Sequence, residues 1–295
     1  MTASHAFGFL TTESSRIESA WGKRTQAVTV EPSLLTPLGD ITIDRLLDEA
    51  SLRPPFVSFA RNGKQVPDRE VVHAGGPPER DGGLDRAKAR SLVGAGATVA
   101  FYQVHHWIDS LGTITDRISS ALRAGCETTV FHTPASNPGL AWHRDAQHVF
   151  AVQITGSKQW RVEDEAPSTW WSPGALAGGG PDTEVTSFTL RRGEVLYLPP
   201  GVAHSARATD ESSTHVSFVI QEPKANDLAL AMFERAAQGL RTRLDGGPLS
   251  DRGSRAAELA IELSSAIREL DVDDVLRVSE ESLMGTRRPP TAPRS

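Results

Sequence analysis

The sequence predicts a mainly β fold: a barrel or sandwich of short strands with helices flanking it. Three observations carry that prediction. Six runs of strand character lie between residues 128 and 220, each four to six residues long. Gly and Pro mark the gaps between them, as tight turns require. Beyond Pro223 the apolar residues switch to the 3.6-residue period of helices.

In chain order, residues 1–97 mix short helical and extended pieces with turn-rich stretches such as Ala74–Gly83, and are expected to pack on the barrel. Ile43, Leu46, Leu47 and Ala50 share one face of a helix expected over Ile43–Ser51. Residues 98–222 hold the expected strands: Thr128–Thr133, Val149–Ile154, Lys158–Val162, Ser187–Leu190, Val195–Leu198 and His215–Ile220. Their connections are Pro134–Gly139, Thr155–Ser157, Ser172–Asp182 and Pro199–Gly201. The Gly-rich run Gly174–Gly180 lacks the strand and helix that frame a phosphate loop, so a surface loop is expected there. Residues 223–285 form a helical module. Leu228, Met232, Phe233, Ala236 and Leu240 line one helix. After a turn at Asp245–Pro248, Ala256, Leu259, Leu263, Ile267 and Leu270 line a second, and Val272–Met284 forms a third. Residues 286–295 are polar and Pro-rich, a composition that predicts disorder.

Composition bounds the function. The chain has 295 residues, enough for one large domain or two average ones. Lys and Arg total 31 against 37 Asp and Glu, a formal net charge of −6. A chain-wide polycation for nucleic acid is excluded, and nucleic acid is disfavoured as a substrate. No apolar run approaches the roughly 20 residues of a membrane span. Residues 1–21 lack the charged start and apolar stretch of a secretory signal, so a cytoplasmic protein with no membrane partner is expected. The single cysteine, Cys126, rules out an internal disulfide framework and reads as a small buried hydrophobe.

Two histidines stand in places that suggest chemistry. His143 and Asp145 form an H-x-D pair within Trp-His-Arg-Asp. Two residues apart on extended chain, their side chains point to one face and can chelate one ion. His204 follows a strand and a Pro-Gly turn. Two imidazoles and one carboxylate on one face of an octahedron leave open positions and suit non-haem Fe(II) oxygen chemistry. The bare pair also fits a surface pair or a hydrogen-bonded core histidine.

The surroundings are more specific. The segment His132–Val162 (HTPASNPGLAWHRDAQHVFAVQITGSKQWRV) resembles the JmjC-type cupin family of Fe(II)/2-oxoglutarate oxygenases, in particular its bacterial branch akin to ribosomal oxygenases. It has the Thr-Pro turn, then H-x-D, then a strand ending in Q-x-x-G-x-[KR]-x-W. The segment Leu190–Ile220 resembles the family pattern G-D-x-L-Y-[IL]-P-x-G-x-x-H, with Glu194 in place of the Asp. Leu52–Pro67 also resembles the family's N-terminal region. The two main segments cover about 60 residues, in the family's order.

The resemblance implies a double-stranded β-helix, the cupin or jelly-roll barrel, with a C-terminal helical module. It implies that His143, Asp145 and His204 hold Fe(II). Lys158, thirteen residues after Asp145, would pair with the far carboxylate of the cosubstrate 2-oxoglutarate, and O2 would be the oxidant. A lysine inside a barrel needs an anionic partner, and a dicarboxylate supplies one. Thr133 and His132 fall where relatives give the cosubstrate a polar contact, although a Tyr or Ser is commoner at the latter position. His215 and Ser217 share a face of the last strand; if that face is inward, they reach the cosubstrate. His148 reads as a loop or strand-edge residue. Trp160 reads as core packing, and His105 and His106 as packing or surface. Trp170 and Trp171 either cap the barrel or line a substrate entrance.

The implied activity is hydroxylation of an amino-acid side chain in a protein or peptide. A tailoring hydroxylase of a free or carrier-bound amino acid or small metabolite is the enzymatic alternative, and a non-catalytic metal-binding cupin is the alternative of another class. An isomerase cupin would carry H-x-H and a Glu. Residues 223–285 leave little room for both dimerisation helices and a winged helix. They suit either a homodimer module or helices packed on their own barrel.

Overall fold

The computed structural model describes residues 7–49, 52–73, 82–238, 240 and 249–285. Two compact units divide the chain: Met1–Leu122 with Cys126–Ile220, and Arg123–Gly125 with Gln221–Ser295.

The first unit opens with α1 (Ser14–Ala20), β1 (Gln26–Thr29), α2 (Pro32–Leu38) and α3 (Ile43–Leu47). Next come β2 (Val57–Arg61), β3 (Lys64–Gln65), α4 (Arg86–Gly94), β4 (Thr98–Phe101) and α5 (Asp109–Leu122). The remaining strands are β5 (Gly125–Thr133), β6 (His143–Arg144), β7 (His148–Thr155), β8 (Ser157–Val162), β9 (Gly174–Ala175), β10 (Thr186–Arg191), β11 (Glu194–Leu198), β12 (Ala203–Ala208) and β13 (Ser213–Gln221). Side chains start the short helices: the Thr42 hydroxyl accepts from the Arg45 N–H, and Asp85 accepts from Ala87 and Lys88.

The strands form two sheets, one ordered β1-β11-β7-β13-β5-β4-β2-β3 and the other β10-β8-β12-β6-β9. Their pairings are antiparallel. The two sheets differ in patterning because they differ in cover. In the larger sheet, β7 buries every residue but its last, since both of its faces are covered. Trp21 lies on the outside of this sheet, stacked on His148 with 4.0 Å between ring centres and beside Tyr197 at 5.3 Å. In the smaller sheet, β8 alternates: Lys158, Trp160 and Val162 are buried, and Gln159 and Arg161 are exposed. Between the sheets lies a core of Val149, Ala151, Trp160, Val162, Leu190, Leu196, Leu198 and Val202. Each such aliphatic side chain, fully buried, contributes about 1.5–3 kcal/mol.

All six expected strands are present, each within a slightly longer element. Strand β12 was not expected. Its sequence, AHSARA, has no apolar alternation, and hydrogen bonding to β8 and β6 makes it a strand. The Gly-rich run is not wholly a surface loop. Gly174 and Ala175 pair with Arg144 and His143 and extend the smaller sheet by one strand. Glu194, the departure from the family pattern, closes the β10–β11 hairpin by accepting the Arg191 N–H at 2.6 Å. The helix expected over Ile43–Ser51 stops at Leu47, and Ala50 and Ser51 lie outside the described residues, as do most of Ala74–Gly83, the turn Asp245–Pro248 and the tail 286–295.

The second unit holds α6 (Ala225–Ala237), α7 (Arg252–Arg268) and α8 (Val272–Gly285). Leu240 falls beyond the end of α6. Asp274 on α8 pairs with Arg235 on α6 at 2.7 Å and with Arg277. Helix α7 buries none of its 17 residues, although its apolar positions keep helical period. No helix among the described residues is long and apolar enough to cross a membrane.

Candidate metal centre and cosubstrate cavity

A cavity of about 320 Å³ opens in the first unit, and His143, Asp145, Lys158, His204 and His215 all line it. Strand pairing assembles the first part of it. In the β6–β12 pair His143 stands directly opposite His204, and Asp145 follows at the end of β6. The Asp145 Oδ2 lies 3.5 Å from His204 Nε2 and 3.9 Å from His143 Nε2. One ligand atom from each residue falls within 4.8 Å of the others.

The tautomers are set by the backbone. His143 Nδ1 lies 2.8 Å from the Ala141 carbonyl, and His204 Nδ1 lies 3.0 Å from that of Val202. A carbonyl only accepts, so each Nδ1 carries the proton and each Nε2 keeps its lone pair for a cation. Burial, and then the neighbouring His143, lower the pKa of His204 to about 4, so its imidazole is neutral.

A clasp holds together the two segments that bear His143 and His204. Arg144 projects away from the cavity and pairs with Glu163 and the Gly201 carbonyl. Glu163 also accepts the Ala203 N–H at 2.8 Å and the Thr183 hydroxyl at 2.5 Å. Burial alone would raise the Glu163 pKa, but these donors outweigh it and hold the pKa below the usual carboxylate value. Gly201 completes the turn. Its φ is +86°, its N–H donates to the Asp145 carbonyl, and an added Cβ would lie 2.5 Å from Trp171. Sequence reasoning missed Arg144 and Glu163; the only signal was that Arg144, between His143 and Asp145, must face the other way. Glu163→Gln is expected to cost about 2–4 kcal/mol by leaving Arg144 without its charge partner. It is also expected to weaken divalent-metal binding about tenfold or more. Calorimetry with and without Co(II) checks both, and wild-type values would remove the positioning role.

The deep end is built around Lys158, 2% exposed. Its Nζ lies 3.2 Å from His215 Nδ1, and among the described residues no carboxylate stands within ion-pair distance. Burial lowers the Lys158 pKa to about 7 and drives that of His215 well down, so the neutral imidazole accepts from the amine. Phe131 stacks on His215 at 4.9 Å. Trp160, also in the wall, has a buried indole N–H with no hydrogen-bond partner among the described residues. A buried amine without an anion and an unsatisfied N–H are costly, and both suit a ligand rich in acceptor oxygens.

Several expected residues fall elsewhere. Ser217 shares the cavity face with His215, whereas His132 and Thr133 are not among the lining residues. His132 alternates with the lining Phe131, so it points to the other side, with Nδ1 2.9 Å from the Thr214 hydroxyl. Thr133 acts one step back, accepting from Thr98, which does line the cavity. His148 is no loop or strand-edge residue: it is buried, bonded to the Tyr197 hydroxyl at 2.8 Å and stacked on Trp21. His105 Nδ1 accepts from the Thr128 N–H, a packing role. Trp171 packs on Gly201, and Trp170 is exposed. Tyr102, Glu127 and Gln147 line the cavity without having been singled out.

Residues 101–228 match the JmjC domain family. Ribosomal oxygenase 2 of Bos taurus is 26% identical over 199 residues, 66% of this chain and 42% of that protein. The bifunctional lysine-specific demethylase and histidyl-hydroxylase NO66 of Dictyostelium discoideum is 25% identical over 127 residues, 41% of this chain and 25% of that one. The chain spans less than half the length of these curated relatives. Among solved structures, YcfD, a ribosomal oxygenase from Escherichia coli in complex with cobalt and 2-oxoglutarate, shares the fold. Its TM-score is 0.54 at 16% identity, over 90% of this chain and 69% of that one. The matched segment takes in β5 to β13 of the two antiparallel sheets, and with them His143, Asp145 and His204, so residues 101–228 match a JmjC domain and the chain shares the cupin fold.

Proposed function

We propose that this chain is an Fe(II)- and 2-oxoglutarate-dependent oxygenase that hydroxylates an amino-acid side chain in a protein or peptide. One observation carries the reading: two imidazole Nε2 atoms and a carboxylate converge in a cavity that also holds a buried lysine with no carboxylate partner among the described residues. The relatives support it, being named ribosomal oxygenases and a histidyl-hydroxylase, and YcfD is seen with cobalt and 2-oxoglutarate.

His143, Asp145 and His204 would hold the iron. When bound, Fe(II) with 2-oxoglutarate and O2 supplies the oxidation itself, releasing succinate and carbon dioxide and placing a hydroxyl on the substrate. Lys158 takes the far carboxylate of 2-oxoglutarate, and His215 holds the lysine in place. Phe131 and Trp160 keep water from that end, which strengthens the ion pair. His132 and Thr133 support the wall rather than touch the cosubstrate. The test is succinate formation by anaerobically purified protein given Fe(II), 2-oxoglutarate and O2. Slow uncoupled turnover is expected without added substrate. Absence of both turnover and 2-oxoglutarate binding would move the assignment to a non-catalytic cupin.

We also propose a homodimer formed through the C-terminal helices. Its support is that α7 keeps an amphipathic period yet has no fully buried residue, and Ile267 on its apolar face is 37% exposed. Light scattering is expected to show a dimer that Ile267→Asp dissociates; a monomer at every concentration removes the dimer.

A further inference from the structure

The smaller sheet carries a second cavity, of about 390 Å³, on the face that bears Gln159 and Arg161. Its origin is a bulge beside the candidate metal ligands. The Gly139 N–H donates to the Ala206 carbonyl at 2.8 Å, and Pro138 bridges Arg207. Further along, His143 pairs with His204. Three residues, Leu140, Ala141 and Trp142, therefore stand opposite one, Ser205. A bulge of this kind breaks the ladder and re-aims side chains. Leu140 and Ala206 line both cavities, so the second abuts the first at the bulge.

The chemistry of the second cavity is cationic. Register pairs Arg161 with Ser205 and Arg207 with Gln159, which makes the two arginines diagonal neighbours, with about 7–8 Å between backbones. The Arg161 guanidinium sits 5.1 Å from the centre of the Trp142 ring, which steadies its plane. Arg207 donates to the Ser136 carbonyl at 2.9 Å. Neither arginine has a carboxylate partner among the described residues, and no Asp or Glu lines the cavity. A neighbouring hollow shares Arg207 and Gln159 and adds the hydroxyls of Thr189 and Thr209. In a chain of net charge −6, this groove is a local exception.

We propose that the groove is a subsite for an acidic side chain of the polypeptide substrate, an Asp or Glu close in sequence to the residue that enters the first cavity. The proposal rests on the polypeptide-hydroxylase reading. Two guanidinium forks at this spacing suit a carboxylate held between them or one on each. Trp142 is only 7% exposed and lies against Arg161, so it offers little open face for stacking a base.

The full chain, loaded with Mn(II) and 2-oxoglutarate, is incubated with a random peptide library, and the bound peptides are sequenced. Asp or Glu is expected to be enriched at a fixed offset from the preferred target residue. That enrichment should fall at least about fivefold in Arg161→Gln/Arg207→Gln. Arg161→Glu/Arg207→Glu should switch the preference to Lys and Arg. No acidic enrichment, or enrichment that survives the double Gln substitution, overturns the subsite. So does a single-stranded RNA oligonucleotide whose binding depends on the same two arginines, since the groove would then belong to nucleic acid. Uncoupled succinate formation separates loss of the subsite from loss of oxygenase activity. It is expected unchanged in the double Gln variant, because both side chains lie outside the first cavity. Turnover without acidic enrichment sinks the subsite alone. Absence of both turnover and 2-oxoglutarate binding in the wild type removes the oxygenase reading and the subsite with it.

Discussion

Asp145→Ala is expected to abolish succinate formation, with a loss of at least about a thousandfold, while leaving the fold intact. The two halves of this expectation have separate causes. Asp145 supplies the one carboxylate of the cluster, and without its charge two neutral imidazoles hold a hard divalent cation poorly. Its side chain is 39% exposed, and the adjoining turn is held by its backbone carbonyl, which alanine keeps. Stability without metal should therefore change by less than about 1 kcal/mol. The discriminating readout is calorimetry with Co(II). Wild type should gain about 2–3 kcal/mol at a metal concentration a hundred times Kd, and the variant should gain almost none. A variant that kept both turnover and metal stabilisation would place the metal elsewhere.

The second large effect is at Lys158, where function and stability are expected to move in opposite directions. Lys158→Met removes the one Lys or Arg that lines the cavity among the described residues, so 2-oxoglutarate should bind about a hundredfold more weakly or worse. Metal affinity should stay within about twofold, because Lys158 is not in the metal cluster. The ligand-free fold should become more stable, since a buried amine lacking an anion gives way to a thioether of similar length. The pH dependence follows from the same burial. The folded pKa, lowered to about 7, lies below the ordinary lysine value of 10.5. Between these values the unfolded chain holds a proton that the folded protein lacks, so ligand-free stability rises as pH rises through this window. Cosubstrate binding runs the other way. The carboxylate needs the ammonium form, so 2-oxoglutarate affinity should fall by up to about tenfold per pH unit above 7. Isothermal titration at several pH values would show proton uptake on binding. An affinity that is flat from pH 7 to 9 in wild type, or unchanged in Lys158→Met, puts the anchor elsewhere.

The candidate metal cluster was the most legible part of the molecule. Alternation placed His143 and Asp145 on one face, and His204 was legible as the histidine that follows a strand and a Pro-Gly turn. The alternation of His215 and Ser217 was equally readable, but not which face was inward. Other features were hidden for physical reasons. Strand β12 has no apolar period, because Ala203 and His204 are both buried and the next residues face a bulge. His148 reads as polar, yet a hydroxyl from Tyr197 and the face of Trp21, distant in sequence, make it core. His132 stood at a position implied by family resemblance, and one step of strand alternation turned it away.

The order of strands and turns, the apolar alternation and the spacing of His143, Asp145, Lys158 and His204 are local properties. A chain states these directly, because side-chain direction follows from backbone period. The register that sets His143 opposite His204 is not local. Nor are the Arg144–Glu163 clasp, the lack of a carboxylate partner for Lys158 among the described residues, or the bulge that opposes three residues to Ser205 beside two arginines that likewise have none among them. Each depends on which segments, tens of residues apart, come to share a ladder or a wall. Burial and hydrogen-bond satisfaction across the whole barrel decide that pairing.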